Sequence, residues 1–78
     1  FSSHHEMLRE LLYSIGERVS QEIYEDILQL LVEQELMTKQ EMNLLVSVSL
    51  NRVLGEEAPF LRANMLRQVI QEVDRKGK

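Results

Sequence analysis

Residues 38–55, TKQEMNLLVSVSLNRVLG, carry a start, an apolar body and a stop in one run, and the fold turns on whether that run is a helix or a strand. Thr38 and Glu41 have the spacing of a capping box: the threonine hydroxyl accepts from the Glu41 N–H, and the carboxylate accepts from the Thr38 N–H. Gly55 offers the termination. Between them Met42, Leu45, Val46, Leu50, Val53 and Leu54 recur at intervals of three and four, which is one broad side of a helix, and Leu44 and Val48 widen it. The competing reading is a strand, because LVSVSL alternates and valine favours extended backbone. Length and flanking caps favour the helix. A helix apolar over this much of its girth needs cover from more than one side, which predicts the central helix of a small bundle.

Working back toward the start, residues 17–36 place Val19, Ile23, Ile27, Leu30 and Leu31 on one face and Glu22, Glu25, Asp26 and Glu33 mostly on the other. Tyr24, Leu28 and Val32 broaden the apolar side beyond what one neighbouring helix can cover, which points to a tightly wrapped bundle or a second chain. Residues 34–38 form a short connection with neither Gly nor Pro, so the turn rests on Thr38. Before that, Ser3 and Glu6 make a second capping box, and Met7, Leu8, Leu11, Leu12 and Ile15 give a first helix its inner face. Gly16 interrupts the run, although the apolar series continues in helical period through it. A helix ending near Ile15 with a new one starting near Glu17 or Ser20 is favoured over one long kinked helix from about residue 4 to 34.

Beyond Gly55 the segment EEAPF holds the single proline, and Pro59 suits the first turn of a helix starting around Phe60. Leu61, Met65, Leu66, Val69, Ile70 and Val73 form its stripe; Arg75, Lys76 and Lys78 suit its negative end, and Gly77 its termination. No repeat or linker divides the chain, so residues 1–78 read as one all-α domain of three to four amphipathic helices.

A core from 78 residues is marginal for a monomer, and with no cysteine there is no disulfide to reinforce it. Association of two copies through apolar helix faces is the simplest remaining source of stability, and the expected interface comprises Ile23, Ile27, Leu30, Leu31, Met42, Leu45, Val46, Leu50 and Val53. The net charge of −4 is uneven: residues 1–41 hold nine acidic side chains against three basic, residues 42–78 four against six. Such asymmetry suits antiparallel pairing or a basic partner, and equally an ordinary solvated surface. No run reaches the ~20 apolar residues of a membrane span and no signal peptide is evident, so a cytoplasmic protein is expected. Starting at Phe1 rather than Met, the chain is open to being a piece of a longer one.

Catalytic equipment is not evident. His4 and His5 are adjacent, about 100° apart on a helix, and no metal-ligand spacing accompanies them. The Glu25–Asp26 and Glu56–Glu57 pairs lie where exposure is expected, and the Ser47 and Ser49 hydroxyls are best explained as bonded to carbonyls one turn back. Neither enzyme activity nor a cofactor is expected. Candidate contacts to DNA or a partner are Lys39 and Gln40 at a helix start, Arg52, and Arg62, Asn64 and Arg67 in the last helix, set against the plainer reading of spaced arginines as polar-face residues. Tyr13 and Tyr24 read as half-buried packing residues.

The segment 27–73 resembles the YmgB/AriR family of small enterobacterial regulators of biofilm formation and acid resistance, also called two-component-system connector proteins. The resemblance lies in an amphipathic helix ending at a short polar turn, in MTKQEMNLLVSVSL (residues 37–50) and in LRANMLRQVIQEV (residues 61–73). It implies a non-enzymatic helical homodimer that influences transcription through a signalling partner or weak DNA contact. On the residues alone, a small regulatory or adaptor protein stands beside a helical secretion chaperone or dimerisation module that binds a partner's amphipathic helix, and beside direct, low-specificity DNA binding.

Overall fold

In the computed structural model, which describes residues 3–52 and 55–76, the chain forms α1 (Ser3–Ser14), α2 (Gln21–Glu33), α3 (Lys39–Arg52), a single 3₁₀ turn (Gly55–Glu57) and α4 (Ala58–Lys76). The described residues contain no strand, so the LVSVSL run is helical. At its start the capping box is made in both directions: Glu41 N–H donates to Thr38 Oγ1 at 3.1 Å, and Thr38 N–H donates to Glu41 Oε1 at 2.9 Å. That backbone N–H, followed by the Thr38 hydroxyl, holds the Glu41 carboxyl below its ordinary range. The break at Gly16 is also present, since residues 15–20 are non-helical and Ser20 caps α2 by accepting from the Ile23 N–H at 3.2 Å. Gly77 and the Val53–Leu54 end of the α3 stripe lie outside the described residues, as does the side chain of Ser3 with its capping box.

The turn between α2 and α3 is built differently from the expectation that Thr38 carries it alone. Leu36 N–H donates to Leu31 O and Glu35 N–H to Val32 O, both at 2.9 Å, which is a Schellman closure of α2. Its left-handed position is held by Glu35 at φ 61, where glycine is the usual occupant. Gly55, at φ 82, uses the same region at the first position of the 3₁₀ turn.

The hub of the bundle is α4, not α3: α4 packs against α1, α2, α3 and the 3₁₀ turn. Its Ala63, Leu66 and Ile70 are fully buried, and with Leu8, Ile15, Val19, Tyr24, Ile27, Leu28, Leu31 and Met37 they make the core. From α3, by contrast, the side chain most deeply buried is Ser49, whose hydroxyl has no hydrogen-bond partner among the described residues. A bond to a carbonyl one turn back, expected for this serine, is therefore not made. The same helix leaves Leu44 and Leu50 exposed. The physical reason is geometric: Leu44 and Leu50 lie at the two edges of a broad apolar arc whose Met42, Leu45 and Val46 are packed inward, and the side between those edges is polar.

Tyr24 is completely buried rather than half-buried, and its hydroxyl donates to Leu45 O at 3.0 Å with Met65 Sδ 3.9 Å away, tying α2 to α3 and α4. Burial pushes its pKa up from 10.0 to about 12, against a smaller lowering by the Arg62 guanidinium. At the far end of the molecule His5 Nδ1 meets Asp74 Oδ1 at 2.7 Å, which joins the start of α1 to the end of α4.

Candidate self-association site

Fractional exposure sorts the residues expected at an interface into two groups. Ile27 and Leu31 sit in the core of a single chain, and Met42, Leu45 and Val46 are partly buried against that core. Leu30 is intermediate. They face inward because α4 covers the sides of α2 and α3 that the sequence left unassigned. Ile23 at 51 % and Leu50 at 54 % remain open to solvent, and Val53 lies outside the described residues. The most exposed leucine among the described residues, Leu44 at 66 %, was absent from the expected set because it lies off the main stripe of α3.

Leu44 and Leu50 bracket Ser47 at intervals of three. On a helix of 3.6 residues per turn they lie about 60° to either side of it. Gln40, Asn43 and Ser47 are exposed as well, so residues 40, 43, 44, 47 and 50 define the uncovered side of α3. Next to it, an apolar groove of about 540 Å³ runs between the α2–α3 turn, α3 and α4, with Leu36, Met37, Leu44, Leu45, Val69 and Val73 in its walls. Glu35, Glu41, Glu72 and Lys76 stand around it.

Two of the three arginines expected to meet DNA or a partner, Arg62 and Arg67, are engaged within the chain. Arg62 donates from Nε to Val19 O at 2.6 Å and from Nη1 to Gln21 Oε1 at 3.3 Å; Arg67 donates from Nη2 to Gly16 O at 2.8 Å. They fasten the 15–20 connector to α4, helped by Val19 N–H donating to Pro59 O at 3.1 Å. Asn64 is exposed with its Oδ1 3.5 Å from Arg67 Nη1, Lys39 and Gln40 are exposed at the start of α3, and the side chain of Arg52 lies outside the described residues. Among the described five, the two arginines are held on the 15–20 connector rather than gathered into one basic surface. Among the described residues no cluster of three His, Asp or Glu is placed to hold a metal ion, and no helix is long and apolar enough to cross a membrane.

The family model of the CtsR C-terminal dimerization domain matches residues 3–71. This chain belongs to that family. No curated protein and no solved structure gives a significant match. Membership in the CtsR C-terminal dimerization domain family overturns the YmgB/AriR resemblance, and the biofilm and acid-resistance role goes with it. That resemblance rested on the leucine and valine spacing of residues 27–73, a pattern any pair of amphipathic helices produces, whereas the match to the CtsR dimerization domain takes in α1 as well. Self-association, inferred from surplus apolar surface, is the property the CtsR dimerization family carries in its description.

Proposed function

We propose that this chain acts without catalysis, as the self-association module of a small regulatory protein, and that two copies meet through the uncovered side of α3. The observation that carries the reading is the exposure of Leu44 and Leu50 on a helix whose Met42, Leu45 and Val46 are packed against the core, within a domain of a dimerisation family. Ile23 is the exposed large apolar residue of α2 and belongs to the same proposal. Two further exposed aromatic side chains are less suited: Phe60 already has the Arg18 guanidinium 5.3 Å from its ring centre, and Tyr13 stands alone on α1 at 90 % exposure.

Light scattering over a concentration series tests the reading. Wild type gives the mass of two chains, and Leu44→Glu with Leu50→Glu gives that of one, with helical circular dichroism unchanged. A wild type that stays monomeric at high concentration removes the proposal, and so does a double variant that remains fully dimeric. Direct DNA contact is disfavoured because Arg62 and Arg67 are turned onto the backbone of residues 15–19.

A further inference from the structure

Resting on the α3 reading, we infer the register of the pairing: two copies of α3 cross antiparallel about a two-fold axis at Ser47, so that Leu44 of each chain meets the partner's Leu50. A two-fold interface is self-complementary, meaning that if residue i touches j, then j touches i. On the exposed side of α3 the large apolar groups are Leu44 and Leu50, and they stand at equal distance, three residues, on either side of a small one. An axis at Ser47 is the placement that sends each leucine of that side onto the other. The serine also lets the backbones approach, since the separation of packed helices is set by the side chains at the crossing point.

A parallel pairing about Ser47 is the alternative that symmetry allows, and one observation disfavours it. It sets the two positive α3 starts side by side, each with an exposed Lys39. In the antiparallel register the partner's Leu50 stands level with Leu44 and is brought to the edge of the groove that Leu44 helps to wall. The same crossing therefore covers exposed leucine and open apolar groove together.

Cysteine cross-linking decides the register cleanly, because the chain contains no cysteine of its own. Helix axes about 8–10 Å apart, with Cα atoms about 2.3 Å from each axis, leave the facing Cα atoms of the two Ser47 residues about 3.5–5.5 Å apart; those of Leu44 and the partner's Leu50, each about 60° off that direction, come no closer than about 5.7–7.7 Å, and both ranges overlap the one a disulfide spans. Ser47→Cys under mild oxidation gives a covalent dimer. Equal amounts of Leu44→Cys and Leu50→Cys chains, mixed and oxidised, give the 44–50 disulfide at least about tenfold in excess of 44–44 and 50–50, as read from proteolytic peptides. Predominant 44–44 and 50–50 bonds overturn the antiparallel register, and a wild-type dimer by light scattering with no bond from Ser47→Cys overturns the axis while leaving dimerisation through α3 standing. A wild type that is monomeric at every concentration removes both.

Discussion

Glu35 holds a backbone conformation that costs a side-chain-bearing residue about 1–2 kcal/mol, and it does so because the Schellman closure of α2 demands it. Glycine relieves that strain at the expense of a more disordered unfolded chain, so Glu35→Gly is expected to raise stability by about 0.5–1 kcal/mol, read from the urea midpoint. Tyr24 leads to a prediction in pH. Its folded pKa of about 12 exceeds the ordinary 10.0, so the stabilisation from the buried neutral phenol is complete below pH 10 and lost as pH climbs toward 12. Tyr24→Phe loses one hydrogen bond, about 1 kcal/mol at neutral pH, but should flatten the alkaline part of a stability-against-pH curve; equal alkaline loss in both proteins would contradict it. Glu41 acts at the other end of the scale: its lowered pKa contributes stability above the ordinary carboxylate range that is lost as pH falls through the lowered value. Its role was legible because a capping box is entirely local, two residues three apart. The depth of Tyr24 was not, since being sealed by α3 and α4 is a property of neighbours distant in sequence.

At the scale of elements, helix existence followed from period and caps, and the break at Gly16 from a glycine set before a capping serine. What the period could not show was rank. Thr38–Gly55 spreads its apolar residues over much of the helix girth, yet the hub is α4, whose Ala63 and Leu66 fit between the other helices while its polar side carries Arg62 and Arg67 to the connector. An arginine on an amphipathic helix has the same spacing whether it reaches solvent, a partner or a backbone carbonyl three helices away in sequence, so the candidate contacts could be named but not placed. The clamp is testable. Arg67→Ala removes a charged donor from Gly16 O and is expected to cost about 1–2 kcal/mol, discounted for partial exposure, with faster amide exchange concentrated in residues 15–20. Asn64→Ala, which touches the same guanidinium from the solvent side at 3.5 Å, should leave both readouts near wild type.

For the whole molecule the issue is how much apolar surface one copy hides. Among the described residues eleven hydrophobic side chains form the core cluster, so much of the surplus expected from the α2 and α3 stripes is absorbed by α4 within the chain. What is left is narrower than the sequence implied and includes Ile23 on α2 and one side of α3, where Leu44 and Leu50 flank Ser47. Which side that is depends on how four helices share one hub, and no single stripe encodes it. Because a partner binding only the folded chain stabilises it by mass action, the thermal midpoint of wild type should rise with protein concentration; a shift of several degrees corresponds to about 1 kcal/mol for a domain of this size. Leu44→Glu with Leu50→Glu should melt at a midpoint independent of concentration. The comparison isolates association from folding, since both leucines are already exposed in the single chain and glutamate is a good helix former, so the variant loses little intrachain packing. A wild-type midpoint that does not move between dilute and concentrated samples would mean that the uncovered side of α3 meets no second copy.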